Sequence, residues 1–189
     1  MKIKSAEAEL RAVMDTADRM MAAARTAPKA CGADNLEVFA LSGEEKSRLT
    51  EAMKRYGEET KMDFVVRDAK TIDYSPVIVL LGTVISPMRI PDCGLCGFTN
   101  CGECAKNGGR CALNITDLGI AVGSAVSVAA DCRIDNRILY SAGRVALEIG
   151  LFSERVKVAY GIPLSTSSKS PYFDRESEDN QKMEREVFG

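Results

Sequence analysis

The 189-residue chain is predicted to fold as an α+β protein, a sheet flanked by helices, carrying one inserted cysteine-rich loop. Three observations predict this. Short apolar runs suited to strands, at 36–41, 77–81 and 156–160, are separated by longer stretches of helical periodicity. The apolar share, 46 %, is enough to bury one core of ordinary size. Five of the seven cysteines fall between Cys93 and Cys111, in C-G-L-C-G-F-T-N-C-G-E-C-A-K-N-G-G-R-C, a loop that a hydrophobic core does not call for.

Taken in order, Leu10, Val13, Met14, Ala17, Met20, Met21 and Ala24 recur at three- and four-residue steps. They make about Ser5 to Thr26 an amphipathic helix ending before Pro28. After a turn from Lys29 to Asp34, Leu36 to Leu41 reads as a strand. Ser42-Gly43-Glu44-Glu45 has the form of a capping box and opens a helix with Leu49, Met53 and Tyr56 on one face. Asp63 to Arg67, short and β-branched, reads as a strand. Val77 to Leu81, entered through Pro76 and ended by Gly82, suits a central strand buried on both faces. The cysteine loop follows, at 88–114. Thr116 is placed to cap a helix from Asp117 to about Asp131 that is apolar nearly all round, and such a helix belongs in the middle of a fold or of a dimer. Asp135-Asn136 turns into another helix with Ile138, Ala142, Val145 and Ile149 on one face, stopped by Gly150 with Leu151 behind it as in a Schellman end. Val156, Val158 and Tyr160 alternate with Arg155, Lys157 and Ala159 as a half-buried strand before Gly161-Ile162-Pro163. From Leu164 the chain is Ser/Thr-rich and then strongly charged, predicting a loop and a solvated or swapped C-terminal helix. Residues 1–189 thus read as a single domain with the cysteine loop embedded in it.

Composition excludes several function classes. A net charge of -2 offers no basic stripe for nucleic acid. Charges at Glu7, Glu9, Arg11, Asp15, Asp18 and Arg19 interrupt any signal-peptide pattern, and no uninterrupted run of about 18 apolar residues is there to span a membrane. A cytoplasmic setting is expected, where thiols stay reduced and a cysteine cluster is read as metal-binding or catalytic. Histidine is absent, so a site must rest on thiolates, carboxylates, cations or a bound cofactor. No side chain is singled out as catalytic. No G-x-G-x-x-G fingerprint follows a strand, which leaves direct NAD(P)H binding without a motif.

The spacing Cys93-x2-Cys96-x4-Cys101-x2-Cys104-x6-Cys111 supplies the converging thiolates of an iron-sulfur cluster, with a [4Fe-4S] cluster preferred. Zinc is the alternative metal, although two Cys-x2-Cys pairs only four residues apart are cramped for zinc knuckles. Five cysteines leave one spare: Cys93, Cys96, Cys101 and Cys111 ligate with Cys104 over, or Cys104 replaces Cys93 or Cys111. Arg89, Lys106 and Arg110 surround the loop with positive charge that would offset a cluster or meet an acidic partner. Cys31 and Cys132 stand alone and are expected to be buried, inert thiols.

These residues resemble a family of uncharacterised prokaryotic proteins containing a ferredoxin domain. The resemblance lies in C-G-L-C-G-F at Cys93 to Phe98, G-G-x-C at Gly108 to Cys111, and D-L-G-I-A-V-G-S-A-V with D-N-R-I-L-Y-S-A-G between Asp117 and Gly143. It implies a cluster, and favours Cys93, Cys96, Cys101 and Cys111 because the position of Cys104 need not be cysteine in that pattern. A fainter resemblance runs to the FMN-dependent nitroreductases: Ala23 to Ala30 followed by Asn35 is similar to their A-P-S-x-x-N segment, and Tyr160-Gly161-Ile162-Pro163 with Lys169-Ser170 is similar to a later one. That resemblance implies a mainly antiparallel sheet, a homodimer, and FMN contacts at Asn35 and Lys169. Their phosphate clamp is missing here and Lys29 stands where they have serine, so Arg25 or Arg175 would have to serve the phosphate. The function expected is a redox protein, either an oxidoreductase or an electron-transfer module. Its partner would be another redox protein or a small-molecule electron acceptor; a zinc-stapled structural protein is the alternative.

Overall fold

The computed structural model describes residues 2–173. Its centre is strand β2 (Val77–Val84), in which every residue but the last is buried. Alternate side chains face opposite sides, and both sides are covered. Val77, Val79 and Leu81 pack with helix α1 (Ser5–Thr26) and helix α5 (Ala112–Asp131). Ile78 and Leu80 pack with helices α2 (Gly43–Thr60), α3 (Asp63–Asp73) and α6 (Tyr140–Glu148). The result is three layers, with helices on either side of the sheet.

The sheet is antiparallel throughout. β1 (Leu36–Ser42) pairs with β2, β2 with β4 (Val156–Ser165), and β4 with the two-residue β3 (Asp135–Asn136). β2 runs three residues past Leu81: Gly82 does not end it but lies opposite Ala159, where an added Cβ would come within 2.6 Å of Val156 Cγ1 and 2.8 Å of Phe152 Cε1. Gly82 is there because the neighbouring side chains leave no room. β4 likewise continues through Gly161-Ile162-Pro163. The Gly161 N–H donates to Leu139 O, so the Pro163 nitrogen two residues on faces that same side and its missing proton costs no bond to β2.

Several expectations are corrected. Asp63 to Arg67 is the start of α3, because Val65, Ala69 and Ile72 form one buried helical face that a five-residue window cannot reveal. Ser42 ends β1 and makes no side-chain cap, so the capping box is not formed. Helix α5 begins at Ala112, so Thr116 lies inside it and Cys111, which makes no side-chain cap, holds the N-cap position. Asp135-Asn136 pairs as β3, and α6 starts only at Tyr140. Its end has the expected form: Leu151 N–H donates to Ala146 O (2.9 Å) and Gly150 N–H to Leu147 O (3.2 Å), with Gly150 at φ 72°. Cys31 and Cys132 are exposed, Cys31 in a left-handed conformation inside a short 3-10 turn (Ala30–Gly32) and Cys132 just beyond α5. The expected C-terminal helix and Arg175 lie outside the described residues.

Helix α5 is by length and mean hydropathy (1.5) able to cross a membrane. One side of it, Leu118, Ala121, Val122, Ala125 and Ala129, is in the core beside α1. Lys46 is a second buried exception to simple patterning. Its ammonium donates to Ile72 O (3.1 Å) and Asp73 O (3.2 Å), the terminal carbonyls of α3, while burial lowers its pKa despite the opposing charge of Asp73. Lys46→Met removes the side-chain donor from Asp73 O and leaves Ile72 O with the Ser75 N–H (2.9 Å) alone, with an expected cost of about 1–3 kcal/mol in urea unfolding.

Candidate metal centre

The cysteine loop leaves β2 at Val84 and returns at Cys111, the residue before α5. Two side chains on the first turns of α5 hold its surroundings. Asn114, fully buried, accepts the Ser86 N–H at 2.8 Å and so anchors the entry to the loop. Asp117 accepts the Ala30 N–H at 3.0 Å and draws the turn carrying Cys31 against the same helix. Neither role was read from the sequence. N-x-x-E at 100–103 was a missed signal too: Asn100 Oδ1 accepts the Glu103 N–H (3.0 Å) and Glu103 Oε2 accepts the Thr99 N–H (2.8 Å). That capping exchange starts a short helix, α4 (Cys101–Lys106), inside the loop.

Four thiols, Cys93, Cys96, Cys101 and Cys111, line one pocket whose walls are otherwise mostly apolar, including Met88, Ile90 and Phe98. Cys104 is not among them. It is 1 % exposed, held on α4 against Gly109, where a Cβ would meet its Sγ at 2.9 Å and Phe98 Cε2 at 2.5 Å. Burial raises the Cys104 pKa, reinforced by a hydrogen bond with Cys96 and by the proximity of Cys111 and Cys101. Cys96, Cys101 and Cys111 thus lie near both Cys93, with which they line the pocket, and Cys104. All seven cysteines are free thiols. Among the described residues no three Cys, Asp or Glu side chains close on a single point as the ligands of one ion do. The donor set, thiols only around one mainly apolar pocket, fits a multi-iron cluster in kind.

The residues named as flavin contacts are not brought together within one protomer. Asn35 lies where the loop leaves the sheet, its carbonyl accepting the Val84 N–H at 2.9 Å. Lys169 lies beyond the other end of β2, between Ser165, which pairs with Asp135, and Tyr172, which is hydrogen-bonded to Ser75. The length of β2 separates them, roughly 20 Å or more. Arg25 is committed to Asp34 Oδ2 (2.5 Å) and Leu36 O (3.1 Å). Lys29 closes the C-terminus of α1, donating to the carbonyls of Ala24, Arg25 and Ala27. These residues do not form an FMN phosphate site in a single chain.

Burial alone would raise the Asp34 pKa, but the Arg25 hydrogen bond, the Leu36 N–H and the charges of Arg25 and Lys29 outweigh it and hold it below the ordinary 3.8. Asp73 is lowered similarly: burial opposes, and hydrogen bonds from Lys54 and Thr50 and the charges of Lys54 and Lys46 prevail. A carboxylate with a depressed folded pKa stabilises the fold above its unfolded value and loses that contribution as pH falls through the folded value. The melting temperature is therefore expected to fall below about pH 4, and Asp34→Asn with Asp73→Asn is expected to flatten that decline.

Residues 107–175 match the family described as "uncharacterized protein containing a ferredoxin domain"; that segment begins after Cys104 and holds only Cys111 of the five loop cysteines. An uncharacterized protein of Archaeoglobus fulgidus is 40 % identical over 164 residues, covering 82 % of this chain and 88 % of its own. Among solved structures, an oxidoreductase containing FMN superposes with a TM-score of 0.59 at 13 % identity, over 90 % of this chain and 73 % of that one. A nitroreductase family protein from Clostridium difficile gives 0.56 at 11 %, over 96 % and 86 %. The FMN-dependent nitroreductase of Mycobacterium smegmatis in complex with NADPH gives 0.51 at 14 %, over 88 % and 86 %. At these identities the likeness is one of fold: the three-layer antiparallel architecture is nitroreductase-like.

Proposed function

Because the chain belongs to the family of uncharacterized proteins containing a ferredoxin domain, we propose that it is an iron-sulfur redox protein, with a [4Fe-4S] cluster held by Cys93, Cys96, Cys101 and Cys111. The observation that carries this reading is the single pocket lined by those four thiols. When bound, the cluster supplies storage and transfer of one electron at a time. The chain's own residues do the rest. The four thiolates would hold the group, and Met88, Ile90 and Phe98 would place apolar surface beside it, lowering the local dielectric and so tuning the potential. Asn114 and the Asn100–Glu103 exchange fix the two limbs of the loop, so the ligands do not depend on the metal alone for their positions. The electron passes to a redox partner protein or a small-molecule acceptor, in the reducing compartment that free thiolates require.

A second reading, a flavin and iron-sulfur oxidoreductase, is favoured by the fold shared with proteins that contain FMN. Since Asn35 and Lys169 lie at opposite ends of β2, such a site would draw its contacts from two copies of the chain. A homodimer has a surface available: Gly119, Ile120, Gly123 and Ser127 leave one side of α5 open, with Ile120 40 % exposed. Denaturing protein purified without oxygen separates the readings. FMN released in proportion to chain, from a species of dimeric mass by light scattering, supports the flavoenzyme. Iron with no flavin supports the electron-transfer module, and colourless protein with one zinc per chain refutes both.

A further inference from the structure

Arg110 directly precedes Cys111 and stands where two surface depressions adjoin. One backs onto the cysteine loop at Ala105, Gly108 and Gly109 and reaches Arg155 and Lys157 at the start of β4. The other runs from Phe152 to Arg144, and Arg110, Glu154 and Lys157 line both. Arg144 is already committed, paired to Glu148 at 2.7 Å and stacked over Tyr56. Arg110, Arg155 and Lys157 are exposed, and among the described residues none has a carboxylate within ion-pair distance; Lys157 donates only to the backbone carbonyl of Glu154. Among the described residues, the two adjoining depressions thus form a groove lined by three cations without a carboxylate partner and by one carboxylate, Glu154, on a chain whose net charge is -2.

A phosphate site gathers donors onto one point, with backbone amides and a sheltered cation. These cations are instead exposed and spread along an open groove, which suits the dispersed carboxylates of a protein surface. We infer that this groove is the docking face for an acidic electron-carrier protein, seated behind Cys111. The inference rests on the iron-sulfur reading above. One electron leaves the reduced carrier and is taken up at the cysteine loop, with no bond made or broken. Charges arranged this way speed encounter and orient it while leaving the complex weak enough to turn over, and their reach is limited to about 8 Å at physiological salt.

The test is titration calorimetry of the anaerobically purified full chain with a small, strongly acidic ferredoxin, at about 20 mM and about 300 mM salt. Three proteins are compared: the wild type, R110E/R155E/K157E, and a control of equal charge change outside the groove, R11E/R48E/K70E. The inference expects wild-type affinity to fall with salt, the groove variant to bind at least about tenfold more weakly at low salt, and the control to stay within about threefold. Equal weakening by both variants, or no wild-type binding at low salt, overturns it. Iron and sulfide assayed in the same preparations judge the underlying reading separately. Salt-dependent, groove-specific binding by iron-free protein would sink the cluster and leave the docking face standing, whereas a loaded protein without such binding would do the reverse.

Discussion

Alanine at Cys96, Cys101 or Cys111 is expected to reduce bound iron and sulfide to a small fraction of the wild-type content, whichever fourth thiol completes the set. Each is close to the pocket or to Cys104 in the structure, and losing one thiolate opens a coordination position to water and oxidation. The informative pair is Cys93→Ala and Cys104→Ala. Cys93 lines the pocket with the other three, whereas Cys104 lies buried behind it against Gly109 and Phe98. Cys93→Ala should therefore lose the cluster, and Cys104→Ala should keep it while losing about 1 kcal/mol of stability from the small void left in α4. Iron retained in Cys93→Ala and lost in Cys104→Ala would reassign the fourth ligand. Far-UV circular dichroism of each variant distinguishes loss of ligand from loss of fold.

Gly143→Ala is expected to be among the most damaging single substitutions outside the loop. Gly143 lies on α6 where that helix crosses β4, and a Cβ there would stand 1.9 Å from Ala159 O, 2.2 Å from Ala159 C and 2.6 Å from Tyr160 N. All three are backbone atoms. Ala159 and Tyr160 are paired with Gly82 and Leu81 of the central strand, so β4 cannot retreat without breaking that ladder. Helix α6 must lift instead, uncovering Ala142, Val145 and Ala146. Alanine gains about 1 kcal/mol over glycine in helix propensity. Overpacking against an immovable backbone costs about 3 kcal/mol or more, so the penalty wins. Urea unfolding is the measure, with a markedly lower midpoint expected; an unchanged midpoint would show that α6 does not press on β4 as described.

What the sequence made legible follows from how local each signal is. α1, β1 and the end of α6 were readable because a periodic stripe, a short apolar run and a Gly150-Leu151 stop lie within a few residues of one another. The two faces of β2 were readable from an apolar run without alternation. α3 was hidden because Val65-Val66 outweighed a pattern completed only at Ile72. The Ser-x-x-Glu pattern at Ser42 forms no capping box because strand pairing with Val77 claims Ser42, whereas Asn100-x-x-Glu103 makes the capping exchange inside the cysteine loop. In the site itself, spacing identified the five thiols. Which of them face one pocket depends on α4 turning Cys104 inward, and no spacing rule reports that. The flavin contacts failed to meet for a different reason: the elements come in the expected chain order, but antiparallel pairing carries Asn35 and Lys169 to opposite ends of the same strand.

The most direct measurement is iron and acid-labile sulfide per chain, with the visible spectrum, on protein purified and kept without oxygen. The account predicts iron and sulfide in equal amounts at the stoichiometry of one [4Fe-4S] cluster, and a broad absorption in the blue that bleaches on reduction. Protein that is folded, colourless and free of iron, or that carries zinc in its place, would contradict it.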